Sequence, residues 1–96
     1  VDVVISFCHK AAAVHGQVNC LTEILFESAF ERAKSLDDLP KEERKGCLFG
    51  VPVSLKDSID VKGVASSVGI FKWINEKRSE NCKIVDNLIA AGAIPF

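Results

Sequence analysis

The chain has 96 residues, of which 48% are apolar and 26% charged, and its net charge is -1. This length suits one domain at most, and the charge balance excludes a general electrostatic attraction to nucleic acid or anionic lipid. The apolar runs are much shorter than the roughly 20 residues that a membrane-spanning helix needs. The chain contains no methionine, and its last residues, AIPF, suggest a strand that has only begun, so we expect a piece of a longer protein with an incomplete sheet and core.

The cysteines and histidines show no metal-binding pattern. Four cysteines are widely spaced and form no C-x-x-C pair: Cys8, Cys20, Cys47 and Cys82. His9 and His15 do not complete a zinc pattern with them, and both fit ordinary positions on a helix surface. Because an unpaired cysteine packs as a small hydrophobe, we expect free and mostly buried thiols, with no metal or cofactor.

The first half of the chain predicts two helices and a connector. Residues 3–15 carry apolar side chains at helical spacing, and Gly16 stands where a helix would stop. Residues 20–25, CLTEIL, fit either one face of a helix or a short strand, whereas the following FESAFERAKS is typical of a helix. Residues 35–46, SLDDLPKEERKG, predict a solvated connector.

The second half predicts two strands separated by an irregular segment and a helix. Residues 50–60, GVPVSLKDSID, begin like a buried strand, and residues 57–78 suggest an irregular excursion with an apolar patch. Ser79 is the expected N-cap of a helix that Gly92 ends, and AIPF starts another strand. The apolar stripe of this helix comprises Ile84, Val85, Leu88 and Ile89. Helices that alternate with short strands predict a layered α/β fold.

Lys56 lies at the end of the first predicted strand. Side chains alternate along a strand, so the two predicted faces are Val51, Val53 and Leu55, and Pro52, Ser54 and Lys56. In open α/β sheets, ligands collect at the carboxyl ends of strands. Two interpretations remain: Lys56 is a solvated lysine on a half-exposed strand, or it points with Ser54 into a cleft while Asp57 is directed away.

A nucleotide site is excluded at this lysine. A phosphate-binding loop needs glycine directly before its lysine and serine or threonine directly after it. Leu55 and Asp57 occupy those two positions, so the backbone amides cannot curl around a phosphate.

Three separate blocks, GVPVSLKDSIDVKG, SSVG and DNLIAAGAIPF, resemble the N-terminal part of the catalytic region of amidase signature enzymes. NCLTEI and FESAFERAK fit the same pattern, so the resemblance covers residues 5–96. LFGVPVSLKDS and AGAIPF are most similar to fatty-acid amide hydrolases. The resemblance implies a mixed β-sheet covered by α-helices on both faces, of which residues 1–96 form the N-terminal part of a single domain. It also favours a short strand at residues 20–25.

The resemblance implies a serine hydrolase that acts on fatty-acid or other hydrophobic amides. Its triad comprises a nucleophilic serine, a bridging serine held by a cis peptide, and a lysine, which Lys56 matches. The two serines are expected beyond Phe96, and the 96 residues alone are expected to be inactive. Ser66 and Ser67 match a hydroxyl-rich loop that supports the site. None of these serines matches a triad serine, and the same is true of Ser54 and Ser58.

The chemistry explains the use of a lysine. A lysine in water has a pKa of about 10.4 and is a poor base near neutrality, whereas burial favours its neutral form. A proton would then pass through the bridging serine and return to the leaving nitrogen.

Two other function classes stay open. One is a non-catalytic relative that keeps the fold for binding, and the other is an amidotransferase subunit that releases ammonia from glutamine. We expect an intracellular protein with a small-molecule amide substrate, without nucleic acid, and with any membrane association made through segments outside this chain.

Overall fold

The computed structural model covers all 96 residues and forms a small α/β unit, as the alternating pattern predicts. Two strands pair in parallel, and three helices accompany them. The helices are α1 (Asp2–Val18), α2 (Phe26–Asp37) and α3 (Lys83–Ala90), and the strands are β1 (Pro52–Val53) and β2 (Ile94–Pro95). A mixed sheet with helices on both faces requires more strands than this chain contains, so that part of the expectation stays a prediction.

The main core joins the first two helices to the second strand. It contains Val4 of α1, Ala29 and Ala33 of α2, and Ile94 of β2, all of which are almost fully buried. Ala29 and Ala33 are four residues apart and therefore lie on one face of α2. Because their side chains are small, Val4 and Ile94 can pack closely against this face. The core thus fixes β2 against the helices.

The strand pair extends into a close contact between two backbone segments. The N–H of Ile94 donates to the carbonyl of Val51 at 2.8 Å, and the N–H of Gly50 donates to the carbonyl of Gly92 at 2.9 Å. Gly92 has a φ of 92°, and a Cβ there would lie 2.6 Å from the Cα of Phe49. Only glycine tolerates both conditions. This contact fixes the register of the segment that leads to Lys56.

Arg32 connects α2 to the end of α3 and the start of β2. Its Nε donates to the carbonyl of Ala93 and its Nη2 to the carbonyl of Ile89, both at 2.7 Å. Burial lowers the pKa of Arg32. The guanidinium stays charged at neutral pH, because an arginine does not deprotonate in a protein. Arg32 therefore supplies the donor for the Ala93 carbonyl and adds a second donor to the Ile89 carbonyl, which also accepts the backbone N–H of Gly92.

Three expectations for the first half are wrong in detail. Helix α1 continues through Gly16 and ends at Asn19, which adopts the left-handed conformation with a φ of 47° and donates its N–H to His15. Asparagine is one of the few residues that tolerate this conformation, so it serves where glycine was expected. Residues 20–25 form no strand, because no other segment of the chain pairs with them. Helix α2 is confirmed, and it extends into the predicted connector as far as Asp37.

The second half confirms the irregular segment and the second strand but moves the start of the helix. Helix α3 begins at Lys83, not after Ser79. The reason is that the N–H of Cys82 donates to the carbonyl of Asp60 at 2.9 Å, and Asn81 accepts from Lys62 at 2.8 Å. These contacts hold residues 79–82 in an extended loop. Gly92 follows the end of the helix as expected.

The predicted burial of apolar side chains is only partly correct. In α3, Val85 is fully buried, but Ile84 is exposed. In the first strand, Pro52 is buried while Val51 is exposed, so the expectation of a buried Val51 is wrong, whereas Val53 and Leu55 are half-buried. The parallel pairing explains this, because Pro52 lies beside Ile94 at the core. No helix combines the length and the apolar character needed to cross a membrane.

Candidate active site

A cleft of about 450 Å³ opens where the two strands end. Four parts of the chain form its walls: the segment before α2, the residues that follow β1, the turn and loop after them, and the end of β2. The position agrees with the rule that ligands collect at the carboxyl ends of strands.

Lys56 and Ser54 both line this cleft. The predicted alternation does not explain this, because β1 already ends at Val53 and Leu55, between the two residues, lines the same cleft. Both side chains are exposed, so these 96 residues do not provide the apolar burial expected for Lys56. The amine of Lys56 has no carboxylate within 4 Å and makes no hydrogen bond. The structure therefore presents an unpaired amine to the cleft, and the catalytic role of Lys56 stays a prediction.

Asp57 follows Lys56 directly and lines the same cleft, but its carboxylate binds the loop. The N–H of Ile59 donates to the carbonyl of Lys56 at 2.9 Å, so Lys56 and Asp57 belong to one tight turn. The Asp57 carboxylate accepts the backbone N–H of Ser67 at 3.3 Å and the backbone N–H of Val68. The carboxylate therefore binds the loop and forms no ion pair with Lys56, although Asp57 lies in the wall of the same cleft and is not directed away from it as expected.

The hydroxyl-rich loop lies beside the cleft without lining it. Ser66 is 3% exposed and Ser67 is half-buried, and neither contributes to the cleft wall. The carbonyl of Ser66 accepts from Nη2 of Arg78 at 3.1 Å, and Arg78 also forms an ion pair with Asp60 at 3.0 Å. Arg78 and Asp57 thus hold the loop from two sides.

Val68 shows why the loop needs to be held. Its φ is 50°, a conformation that a β-branched residue rarely adopts and that costs about 1–3 kcal/mol. Hydrogen bonds to a charged group contribute about 1.5–3 kcal/mol each, and Asp57 accepts two. Even at the lower end of that range, the two bonds offset the strain.

The back wall of the cleft is apolar and aromatic. Phe96 packs edge-on against Phe7, with ring centroids 6.1 Å apart, and stacks on Phe26 at 6.5 Å. Leu21 and Leu25 line the same cleft from the segment before α2. A hydrophobic group of a ligand would meet this wall.

All four cysteines are free thiols, but the expectation of mostly buried thiols is wrong. Cys20 and Cys47 are exposed, and Cys8 and Cys82 are half-buried. Burial raises the pKa of the Cys8 thiol, an effect that a backbone hydrogen bond partly opposes. Cys20 lines the cleft, with its Sγ 3.8 Å from Nδ1 of His15. No three His, Cys, Asp or Glu side chains come close enough to hold a metal ion.

The link between Asp57 and the loop was not predicted from the sequence. A valine followed by glycine gives no sign of a left-handed turn at the valine, because glycine is the residue expected there. The adjacent Lys-Asp pair also suggests an ion pair as readily as a carboxylate that turns away.

A model of the family described as "Amidase" matches residues 2–96. The chain belongs to the amidase family. An "Amidase" of Gibberella moniliformis is 46% identical over 97% of this chain, and an "Acetamidase" of Emericella nidulans is 33% identical over 98%. A "Vitamin D3 hydroxylase-associated protein" of Gallus gallus is 38% identical over 99% of this chain.

The fold is similar to that of a chain in a solved structure. That structure is described as the inhibitor-bound form of a vestigial protein complex that reveals the evolutionary origins of an s-triazine catabolic enzyme. The TM-score is 0.90 at 26% identity, over 98% of this chain and 21% of that chain. This amidase-family chain spans only 18–20% of the three relatives named above.

Proposed function

We propose that the complete protein hydrolyses amide bonds and that Lys56 is its general base. The observation that carries the proposal is the position of Lys56: its unpaired amine lines a cleft at the carboxyl end of a strand, in a chain of the amidase family. A general base must lie within reach of the proton that it takes, and this amine is free to do so.

The proposed mechanism uses two serines that these 96 residues do not supply. Lys56 accepts the proton of the nucleophilic serine through the bridging serine, and the proton then moves to the leaving nitrogen. The remainder of the domain, with its mixed sheet and its helices, would cover the exposed cleft. That cover would provide the burial that a neutral lysine needs.

We further propose that the substrate carries a hydrophobic acyl group, as in fatty-acid amides. The apolar wall formed by Leu21, Leu25 and Phe96 supports this. An alkyl chain that packs against the wall would remove apolar surface from water, which favours binding. The name of the Emericella relative indicates a small amide for that protein, so acetamide is the natural competitor in an assay.

The test is an activity assay of the full-length protein on a fatty-acid primary amide, an aryl amide, acetamide and glutamine. We expect hydrolysis of the hydrophobic amides, and Lys56→Ala should lower the rate by about 10²- to 10⁴-fold while the circular dichroism spectrum stays unchanged. Lys62→Ala is the matched control, because Lys62 is also exposed but does not line the cleft.

Each alternative gives a different result in this assay. Turnover of glutamine alone would indicate an amidotransferase subunit, and no turnover of any amide would indicate a non-catalytic relative. The 96-residue chain alone should show no activity. If it hydrolyses an amide and loses that activity on Ser66→Ala or Ser67→Ala, the nucleophile lies in this loop and the proposal is wrong.

A further inference from the structure

Asp57 connects two parts of the site that the sequence places about ten residues apart. On one side, Asp57 belongs to the tight turn that begins at Lys56 and is closed by the N–H of Ile59. On the other side, its two carboxylate oxygens accept the N–H groups of Ser67 and Val68, one each. Each oxygen of Asp57 is therefore engaged by the loop, and the direction of the turn is tied to the position of the loop.

We propose that Asp57 is a positioning residue for Lys56, an inference that rests on the proposed function. By binding the loop, the Asp57 carboxylate fixes the turn from which the Lys56 side chain enters the cleft. The same contact keeps the negative charge of Asp57 directed at backbone N–H groups. Lys56 thus keeps an amine that no carboxylate pairs with, although its neighbour in sequence is an aspartate.

The surrounding charges support this assignment. The next carboxylate along the turn, Asp60, pairs with Arg78 at 3.0 Å and lies outside the cleft lining. Both carboxylates of the turn are thus engaged with partners other than Lys56. Glu23, the other acidic residue that lines the cleft, forms no ion pair with Lys56. Val68 is in a strained conformation, with a φ of 50°, so the loop would relax once the carboxylate no longer held its N–H. Such a relaxation would move the turn, and with it the base.

The experiment uses the full-length enzyme and the substitution Asp57→Asn, which keeps the shape of the side chain. An amide offers one oxygen to the loop but turns its NH₂ group toward the second N–H, so one of the two bonds is lost. We expect kcat to fall by about 10- to 100-fold with little change in KM, the effect of a misplaced catalytic group. Asp38→Asn is the matched control, since it makes the same charge change at an exposed carboxylate that does not contact the loop.

A double-mutant cycle separates positioning from a general structural defect. If Asp57 acts through Lys56, then Lys56→Ala combined with Asp57→Asn should be no slower than Lys56→Ala alone. Losses that multiply in the double variant would overturn the inference, as would a rate in Asp57→Asn equal to that of Asp38→Asn. A wild-type rate in Lys56→Ala would instead overturn the proposed function, so the two failures are distinguishable.

Discussion

The two backbone segments that border Lys56 are held in place by different means. Before Lys56, residues 46–53 pack against residues 91–96 through backbone hydrogen bonds and a glycine contact that leaves no space for a side chain. After Lys56, residues 57–69 are irregular, and side chains hold them: Asp57 and Arg78 bind the loop, and Asn81 binds Lys62. The first segment therefore sets where the strand ends, and the second sets which way the lysine points.

The difference separates stability from activity. Substitutions in the glycine contact should disturb the fold, because backbone cannot move aside there. Substitutions of Asp57 or Arg78, whose side chains bind the loop, should leave the fold intact and change the geometry of the site. The predictions below test this division, beginning with the largest expected effect on stability.

Gly92→Ala should be strongly destabilising, because Gly92 lies in the backbone contact that holds the first segment. The new Cβ would lie 2.6 Å from the Cα of Phe49, at a φ of 92°. We expect the free energy of unfolding of the full-length protein to fall by about 3 kcal/mol or more, from clash and backbone strain together. Gly63→Ala is the control, since Gly63 has a φ of 81° but nothing within 4 Å of a Cβ, so it should lose only about 1 kcal/mol. Equal losses in chemical denaturation would contradict the glycine contact.

Arg32→Met should have the next largest effect. It removes two hydrogen bonds: the carbonyl of Ala93 loses its donor, whereas that of Ile89 keeps the backbone N–H of Gly92, and the cost should be about 2 kcal/mol. Lys34→Met on the same helix is exposed and should be nearly neutral. Burial lowers the pKa of Arg32, but an arginine does not deprotonate in a protein, so the loss should not vary between about pH 6 and 8. A loss of stability that appears only at one end of this pH range would contradict the assignment of both hydrogen bonds to a charged Arg32.

Val68→Gly tests the second segment and should act in the opposite direction. Glycine removes the strain of a β-branched residue at a φ of 50° but adds flexibility to the unfolded chain. We expect a net gain of about 0.5–1 kcal/mol, measured as a higher melting temperature. A clear loss of stability would mean that the valine side chain contributes packing that outweighs its strain.

The smallest effect concerns the thiols. Burial raises the pKa of Cys8, so its reactive thiolate is less populated at any given pH than that of an exposed cysteine. Iodoacetamide should therefore modify Cys47 before Cys8 in the native protein, as mass spectrometry of digested samples would show. Raising the pH should narrow the difference. Modification of Cys8 first would show that α1 does not pack as described.

How much of this was predictable follows from the kind of contact involved. The helix at residues 26–37 and the strand at AIPF were predicted, because local periodicity determines them. The position of Lys56 at a cleft was predicted because ligands collect at the carboxyl ends of strands, and a strand end is a local feature of the sequence. The end of α1 at Asn19 and the start of α3 at Lys83 were missed, since each depends on contacts with the rest of the structure.

The hydrogen bonds from the loop to Asp57 are the clearest example of a contact that the sequence does not reveal. It joins residues ten positions apart through backbone N–H groups, which every residue except proline has. No side-chain pattern marks such an acceptor. The burial of Pro52 in place of Val51 has a similar origin, because it depends on the register of a two-residue strand pair.

The central claim is that the amine of Lys56 works in its neutral form, and one comparison tests it most directly. The pH–rate profiles of full-length wild type, Lys56→Ala and Lys56→Arg should be measured on the same amide, with melting temperatures recorded alongside. A general base predicts that the wild-type rate rises with pH, that Lys56→Arg is as slow as Lys56→Ala because a guanidinium does not deprotonate, and that all three melt alike. Near wild-type activity in Lys56→Arg would contradict the account, because a fixed positive charge would then suffice.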